Sequence, residues 1–78
     1  MEETLRKETE KWLVKIKEER KKIELADTSK EEFLKNIDAY ISDSEHFLEN
    51  NDLIRAFEAV IWAWSILETC KELGILKS

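Results

Sequence analysis

The only histidine of this 78-residue chain lies in a short acidic segment. Asp43 precedes His46 by three positions and Glu49 follows it by three, so within a helix these side chains share one face. Such pairs of acidic and histidine side chains bind metal ions in helical bundles when matching ligands project from other helices. The carboxylates farther along, Glu58 and Glu68, belong to no second motif of this kind. The sequence therefore favours a solvated histidine and predicts no metal and no cofactor.

Cys70 is the only cysteine and the strongest candidate nucleophile. A reactive thiolate needs a nearby base, and the only histidine, His46, belongs to a different predicted helix. We interpret Cys70 as a small hydrophobic residue at the edge of the core. The chain also contains no glycine-rich phosphate loop, no Ser-His-Asp set and no paired cysteines. No catalytic residue is assigned, and the chain is not expected to be an enzyme.

Cationic residues concentrate between Lys11 and Lys22, although the chain as a whole carries a net charge of −5. Two acids, Glu18 and Glu19, stand against six basic residues: Lys11, Lys15, Lys17, Arg20, Lys21 and Lys22. In a helix these cations point in different directions and form no single basic stripe. We therefore interpret the segment as a solvated helix. A nucleic-acid-associated accessory role using this segment is the alternative function, disfavoured because the protein is acidic.

The composition predicts an all-α protein, because proline is absent and Gly74 is the only glycine. A first helix is predicted over about 3–25 from residues spaced four and three apart: Leu5, Thr9, Trp12, Ile16, Glu19 and Ile23. A second is predicted over about 30–50, starting with a capping box formed by Ser29 and Glu32. Its stripe has the same spacing: Phe33, Ile37, Tyr40, Ser44 and Phe47.

A third helix is predicted over about 52–73. Asn51 accepts the left-handed conformation that ends the second helix, and Asp52 can cap the third. Gly74 stands where the third helix should end, with Ile75 placed to complete a Schellman motif. Short connections make consecutive helices antiparallel. The chain is thus predicted to form one domain, residues 1–78, folded as an up-down-up three-helix bundle with long antiparallel helices.

The third helix has hydrophobic residues on two sides. One stripe suits the core of the bundle: Leu53, Phe57, Val60, Trp64 and Leu67. Trp62 lies about 180° from Leu53 around the helix, so a small bundle cannot bury both. We therefore predict a surface for homo-oligomerisation or for another protein, formed by Arg55, Ala59, Trp62, Ile66 and Leu73. The alternative is that the first helix covers Trp62 within the same chain.

The second and third helices carry a set of short motifs: Tyr40, Phe47-Leu48-Glu49, Asp52, Arg55-Ala56-Phe57-Glu58-Ala59 and Leu67-Glu68. These motifs resemble the archaeal family called domain of unknown function 357. Asn51 replaces the glycine usual in the family's turn, and asparagine also accepts that conformation. The resemblance implies a small archaeal three-helix protein without an established activity, and it assigns no catalytic residue.

The sequence predicts a protein of the cytoplasm. A single cysteine favours a reducing compartment, because it cannot form an internal disulfide. Charged residues follow Met1 where a signal peptide would need an apolar segment. The longest apolar stretch, Val60 to Leu67, is too short to cross a bilayer. The favoured interpretation is a cytoplasmic helical module for protein–protein interaction or self-association, with no membrane partner.

Overall fold

The computed structural model describes residues 2–77, and side chains from Glu3 onward. Three helices account for most of the chain: α1 (Glu2–Lys22), α2 (Glu31–Glu49) and α3 (Leu53–Glu72). A single turn of 3₁₀ helix, Thr28–Lys30, precedes α2, and two short strands are added, β1 (Glu24–Leu25) and β2 (Leu76–Lys77). The predicted all-α three-helix bundle is therefore confirmed. Met1 and Ser78, the ends of the predicted domain, lie outside the described residues.

Contacts between the helices establish the up-down-up order. Glu19 near the end of α1 accepts a hydrogen bond from Lys71 near the end of α3, so these two helices run parallel. Arg20 binds Asp38 in the first half of α2, and Ser44 in the second half of α2 contacts Ala56 in the first half of α3. Helix α2 therefore runs antiparallel to both of its neighbours. The resulting rod measures 40 × 17 × 17 Å.

The core runs along the axis of this rod. All three helices contribute hydrophobic side chains that are almost inaccessible to solvent: Leu13, Ile16, Ile37, Ile41, Val60, Ala63 and Leu67. Trp12 of α1 and Trp64 of α3 meet edge to face, with ring centroids 5.8 Å apart. The Trp64 indole N–H also donates to the Trp12 carbonyl oxygen at 3.3 Å. These aromatic contacts hold α1 against α3 while the smaller residues fill the centre.

Helices α2 and α3 approach each other through small residues. Ser44 is fully buried, and its hydroxyl donates to the Ala56 carbonyl oxygen at 2.7 Å. Ala56, Ala59 and Ala63, spaced three and four apart on α3, are buried as well. The hydrogen bond satisfies the one polar side chain in this contact, so the close approach leaves no unpaired hydroxyl.

The first helix ends earlier than predicted, because residues 24–25 form a strand. Glu24 pairs with Lys77 and Leu25 with Leu76 in an antiparallel ladder. The Ala26 N–H donates to the Ile75 carbonyl oxygen at 2.9 Å, which extends the pairing by one bond. Leu76 is only 3% exposed in this arrangement. The prediction of helix up to Leu25 is wrong because the C-terminal segment provides extended backbone partners for this stretch and buries Leu76.

The capping box predicted at Ser29 is also wrong. Asp27, not Ser29, caps the turn before α2: its carboxylate accepts from the Ser29 N–H at 3.0 Å and from the Ser29 hydroxyl at 2.7 Å. These two bonds lower the pKa of Asp27 below its ordinary value. Because the serine hydroxyl donates to this carboxylate, it forms no cap, and regular helix begins only at Glu31.

The end of α2 and both ends of α3 have the predicted geometry. Asn51 has a φ of 59°, in the left-handed region, and the Asp52 carboxylate accepts from the Arg55 N–H at the start of α3. Gly74 has a φ of 76°, and its N–H donates to the Lys71 carbonyl oxygen. The Ile75 N–H donates to the Cys70 carbonyl oxygen at 2.9 Å, which completes the Schellman motif.

We expect Gly74→Ala to lower the free energy of unfolding by about 1 kcal/mol, because alanine is strained at a positive φ. A Cβ at this position would meet no atom within 4 Å, so the cost is conformational and not steric. Urea denaturation measures it. Gly74→Asn is the matched control and should lose less, since asparagine tolerates this region. An unchanged stability for the alanine variant would contradict the assignment.

Two positions on α1 test the core. Ile16 is fully buried and Val14 is 61% exposed. Ile16→Ala should lower the free energy of unfolding by about 2–5 kcal/mol because it leaves a cavity, whereas Val14→Ala should change it by less than about 0.5 kcal/mol. Thermal and urea unfolding of both variants provide the comparison. Similar losses at the two positions would show that α1 packs with a different face.

Candidate functional site

Trp62 lies on the outer side of the bundle, where α2 and α3 meet. Its indole is 58% exposed and stacks on the ring of Tyr40, with centroids 6.4 Å apart and an angle of 21° between the planes. Helix α1 is on the other side of α3, where Trp12 contacts Trp64. The alternative that the first helix covers Trp62 is therefore wrong. A large hydrophobic side chain remains open to solvent.

A shallow groove with a volume of about 240 Å³ lies beside Trp62. It is lined mainly by hydrophobic side chains from α2, α3 and the C-terminal turn: Phe33, Trp62, Ser65, Ile66, Thr69, Cys70, Leu73 and Ile75. Leu73 at one end is 69% exposed, whereas Ile66 is half-buried against the core. The structure thus brings together Trp62, Ile66 and Leu73, which the sequence placed on one surface.

Ala59 does not belong to this surface, and its assignment is corrected. It is only 6% exposed, because it lies on the side of α3 that includes the buried residues Ala56 and Ala63. A methyl side chain at the border of a helix face is easily covered by larger neighbours. The angular position of Ala59 on the helix therefore predicted its exposure wrongly.

Arg55 is exposed but stands apart from the groove. Its guanidinium lies 3.7 Å from the carboxylate of Asp52, the residue that caps α3. This partner precedes Arg55 by three residues along the chain. Arg55 therefore belongs to the rim of the surface, at the start of α3.

Several residues of this surface were missed from the sequence. Phe33 and Tyr40 come from α2, and Ile75 follows the Schellman turn. Ile54 and Ile61 are also exposed on α3, but they do not line this groove. The sequence showed a second hydrophobic side on one helix, but a groove between helices depends on how they pack. Phe33 and Tyr40 were assigned to the α2 stripe that faces the core, and no signal within α2 itself placed them beside Trp62.

Cys70 forms part of the groove and is buried, with 3% of its surface exposed. Its burial raises the pKa of the thiol above the ordinary value. The thiol is therefore expected to be protonated near neutral pH, and a protonated thiol is a poor nucleophile. This confirms the interpretation of Cys70 as a small hydrophobic residue at the edge of the core.

His46 is exposed, and its ring contacts the Asn50 amide at 3.3 Å on the following turn. Over residues 2–77, no group of three or more histidine, cysteine, aspartate or glutamate side chains could hold a metal ion. Within the same range, no helix combines the length and hydrophobicity needed to cross a membrane.

The cations of α1 are partly engaged in packing the bundle. Arg20 makes two hydrogen bonds to Asp38, of 2.7 and 3.1 Å, which raise the pKa of the guanidinium. Lys17 pairs with Glu45, also on α2. The Lys15 ammonium lies 4.9 Å from the centre of the Trp12 ring. These cations point towards different neighbours, as the sequence predicted, and form no single stripe.

Comparison with known proteins identifies a family and a similar solved structure. Residues 6–76 match the model of a family described as protein of unknown function, DUF357. The crystal structure of protein AF1782 from Archaeoglobus fulgidus, of the same family, has a TM-score of 0.91 against this chain. The two are 55% identical, over 99% of this chain and 96% of the other. No match is found among the curated proteins.

We expect native Cys70 to react with a thiol reagent at least about 100-fold more slowly than in urea, because modification requires local opening. The raised pKa of Cys70 also makes the free energy of unfolding depend on pH. The stability that this shift contributes is fully present below the ordinary thiol pKa, and it is lost as the pH rises through the higher pKa of the folded protein. Comparing the unfolding of the wild type and of Cys70→Ala between about pH 7 and 10 measures this loss. Fast native labelling would contradict the burial.

Proposed function

The chain belongs to the DUF357 family of proteins of unknown function, and we propose from its surface that it is a helical protein-interaction module. Membership of this family does not by itself assign an activity to the chain. The contact surface is the exposed hydrophobic region between the second and third helices. We call it the α2–α3 face and define it by Tyr40, Trp62, Ile66 and Leu73 together with the groove beside them.

The exposure of Trp62 carries this proposal. The other two tryptophans, Trp12 and Trp64, are half-buried against each other, whereas Trp62 presents more than half of its surface to solvent. Isolated exposed hydrophobic residues are common and need no explanation. Trp62, however, is continuous with a groove and with the exposed Leu73. Tryptophan at the edge of a hydrophobic pocket is the residue type that most often dominates the binding energy of protein interfaces.

The alternative function, nucleic-acid binding through α1, lacks comparable support. Phosphate binding requires cations that are free and lie on one side. Arg20 and Lys17 are engaged with Asp38 and Glu45 of α2, and Lys71 of α3 is engaged with Glu19. We therefore keep protein contact as the proposed role and assign no catalytic step to the chain.

We expect weak self-association at high protein concentration, which strengthens with salt because acidic side chains accompany the α2–α3 face and salt screens their repulsion. Trp62→Glu should abolish it while the fold persists, since the side chain is already exposed. Val14→Glu is the matched control, because Val14 is 61% exposed on α1, outside the face. Sedimentation equilibrium over a range of concentrations and salt measures the mass, and circular dichroism checks folding.

Two results would count against the α2–α3 face as a surface for self-association. One is a wild type that stays monomeric at every concentration and salt level. The other is association that Val14→Glu removes as effectively as Trp62→Glu, which would place the contact on α1. Unfolding of the Trp62→Glu variant would show instead that the indole supports the bundle.

A further inference from the structure

We infer that the α2–α3 face binds a basic amphipathic helix of another protein. This inference rests on the proposed function and names the chemistry of the partner. It follows from three features of the surface: the distribution of charge between the helices, the acids that surround the hydrophobic groove, and the length and shape of that groove.

Charge is divided unequally between the helices. Helices α2 and α3 together carry nine carboxylates against three lysine and arginine side chains. Helix α1 has the opposite balance, with eight cationic side chains against six acidic ones. The side of the bundle formed by α2 and α3 is therefore strongly acidic. A surface of one sign attracts and orients a partner of the opposite sign.

The acids nearest the groove are free to meet such a partner. Glu58 precedes Trp62 by one helical turn, Asp43 follows Tyr40 by one turn, and Glu72 follows the groove residue Thr69 by one turn. All three carboxylates are exposed. Among the side chains that the structure describes, residues 3–77, no lysine or arginine nitrogen lies within 4.0 Å of these three carboxylates. The ion pairs found in that range involve other acids: Lys7–Glu3, Lys11–Glu8, Lys17–Glu45, Arg20–Asp38, Lys35–Glu31, Arg55–Asp52 and Lys71–Glu19.

The acids of α2 that face α1, in contrast, form ion pairs with its cations. Asp38 and Glu45 of α2 are each bound by a cation of α1, Arg20 and Lys17. On the rim of the face itself, Arg55 is paired with Asp52. Four cations lie close to groove residues along the chain, and two of them are paired within the chain, Lys35 with Glu31 and Lys71 with Glu19; the other two are Lys30 and Lys77. The contacts between α1 and α2 thus neutralise these two acids of α2, Asp38 and Glu45, and leave negative charge around the hydrophobic groove.

The groove has the form that a helix recognises. Trp62, Ile66, Thr69 and Leu73 follow one another at steps of four, three and four residues, so they make a strip about 17 Å long on α3. Phe33 provides a wall from α2. A helix laid along such a strip presents its own hydrophobic residues at steps of three and four, over about three turns. Lysine or arginine near one end of that helix would then meet Asp43 and Glu58, which both lie beyond Trp62 at the same end of the strip.

A second copy of this chain fits the same surface less well. A two-fold dimer places the same patch on both sides of the contact. The carboxylates around the groove would then face each other across the interface, and like charges in an interface oppose association. Self-association through the hydrophobic residues can therefore be only weak, whereas a basic helix satisfies both the groove and its rim.

The test uses the full chain and two synthetic peptides of about 18 residues made of leucine and lysine, long enough for the strip with flanking turns. One peptide has the amphipathic helical order, and the other is a scramble of the same composition. Titration calorimetry gives the dissociation constant. The amphipathic peptide should bind at least about 10-fold more tightly than the scramble, and Trp62→Ala should remove at least about 10-fold of that affinity.

Charge variants separate the rim from the net charge. Glu58→Lys should weaken binding of the amphipathic peptide by about 3- to 10-fold at low salt, and less at high salt. Glu10→Lys is the matched control: Glu10 is exposed on α1, and its reversal changes the net charge by the same amount. This control should change the dissociation constant by less than about 2-fold. Because Glu58 is exposed, its variant should fold, which melting temperature verifies.

Equal binding of the two peptides, or equal effects of Glu58→Lys and Glu10→Lys, would overturn the inference, since attraction would then be a matter of charge alone. If the amphipathic peptide does not bind but Trp62 mediates self-association, the contact surface stands and its basic partner is wrong. If neither peptide binding nor self-association occurs, both the inference and the proposed function fail.

Discussion

The close contact between α2 and α3 determines most other features of this molecule. Ser44 and Ala56 allow the two backbones to approach until the serine hydroxyl reaches the carbonyl oxygen of the opposite helix. Helices that lie so near each other leave no room between them for large side chains. Tyr40 and Trp62 are therefore placed at the edge of the contact, where the exposed Trp62 stacks on the half-buried Tyr40. The position of this aromatic pair is consistent with small residues in the interface.

The C-terminal segment converts this open seam into a groove. Gly74 reverses the chain at the end of α3, and the following residues return along the base of the bundle. Leu76 enters the core and pairs in the ladder with Leu25, while Ile75 lines the groove next to Leu73. The short ladder thus has two effects. It adds a buried leucine to a bundle with a small core, and it closes one end of the surface proposed for binding.

Features encoded within one helix could be predicted from the sequence, and features that depend on two segments could not. The helical stripes, the left-handed Asn51, the Asp52 cap and the Gly74 terminator follow from local periodicity and capping chemistry. The strand at Leu25 exists only because a segment about fifty residues away pairs with it. Likewise, the sequence indicated that Trp62 faces away from the core, but Phe33 joins the site only through the packing of α2. Ala59 was misplaced for the same reason, since its burial depends on its neighbours.

The arrangement of charge bears on how the proposed hydrophobic face would behave in water. Exposed hydrophobic patches promote aggregation unless something opposes contact between copies. The carboxylates around Trp62 would supply that opposition, because two identical acidic faces repel each other at the distance where their hydrophobic centres would meet. The same charges favour approach of a basic chain. Most cations of the chain lie on α1, where Arg20 and Lys17 bind acids of α2 that face this helix. Segregating the cations on one helix therefore leaves an acidic face of the kind that the proposed basic partner requires.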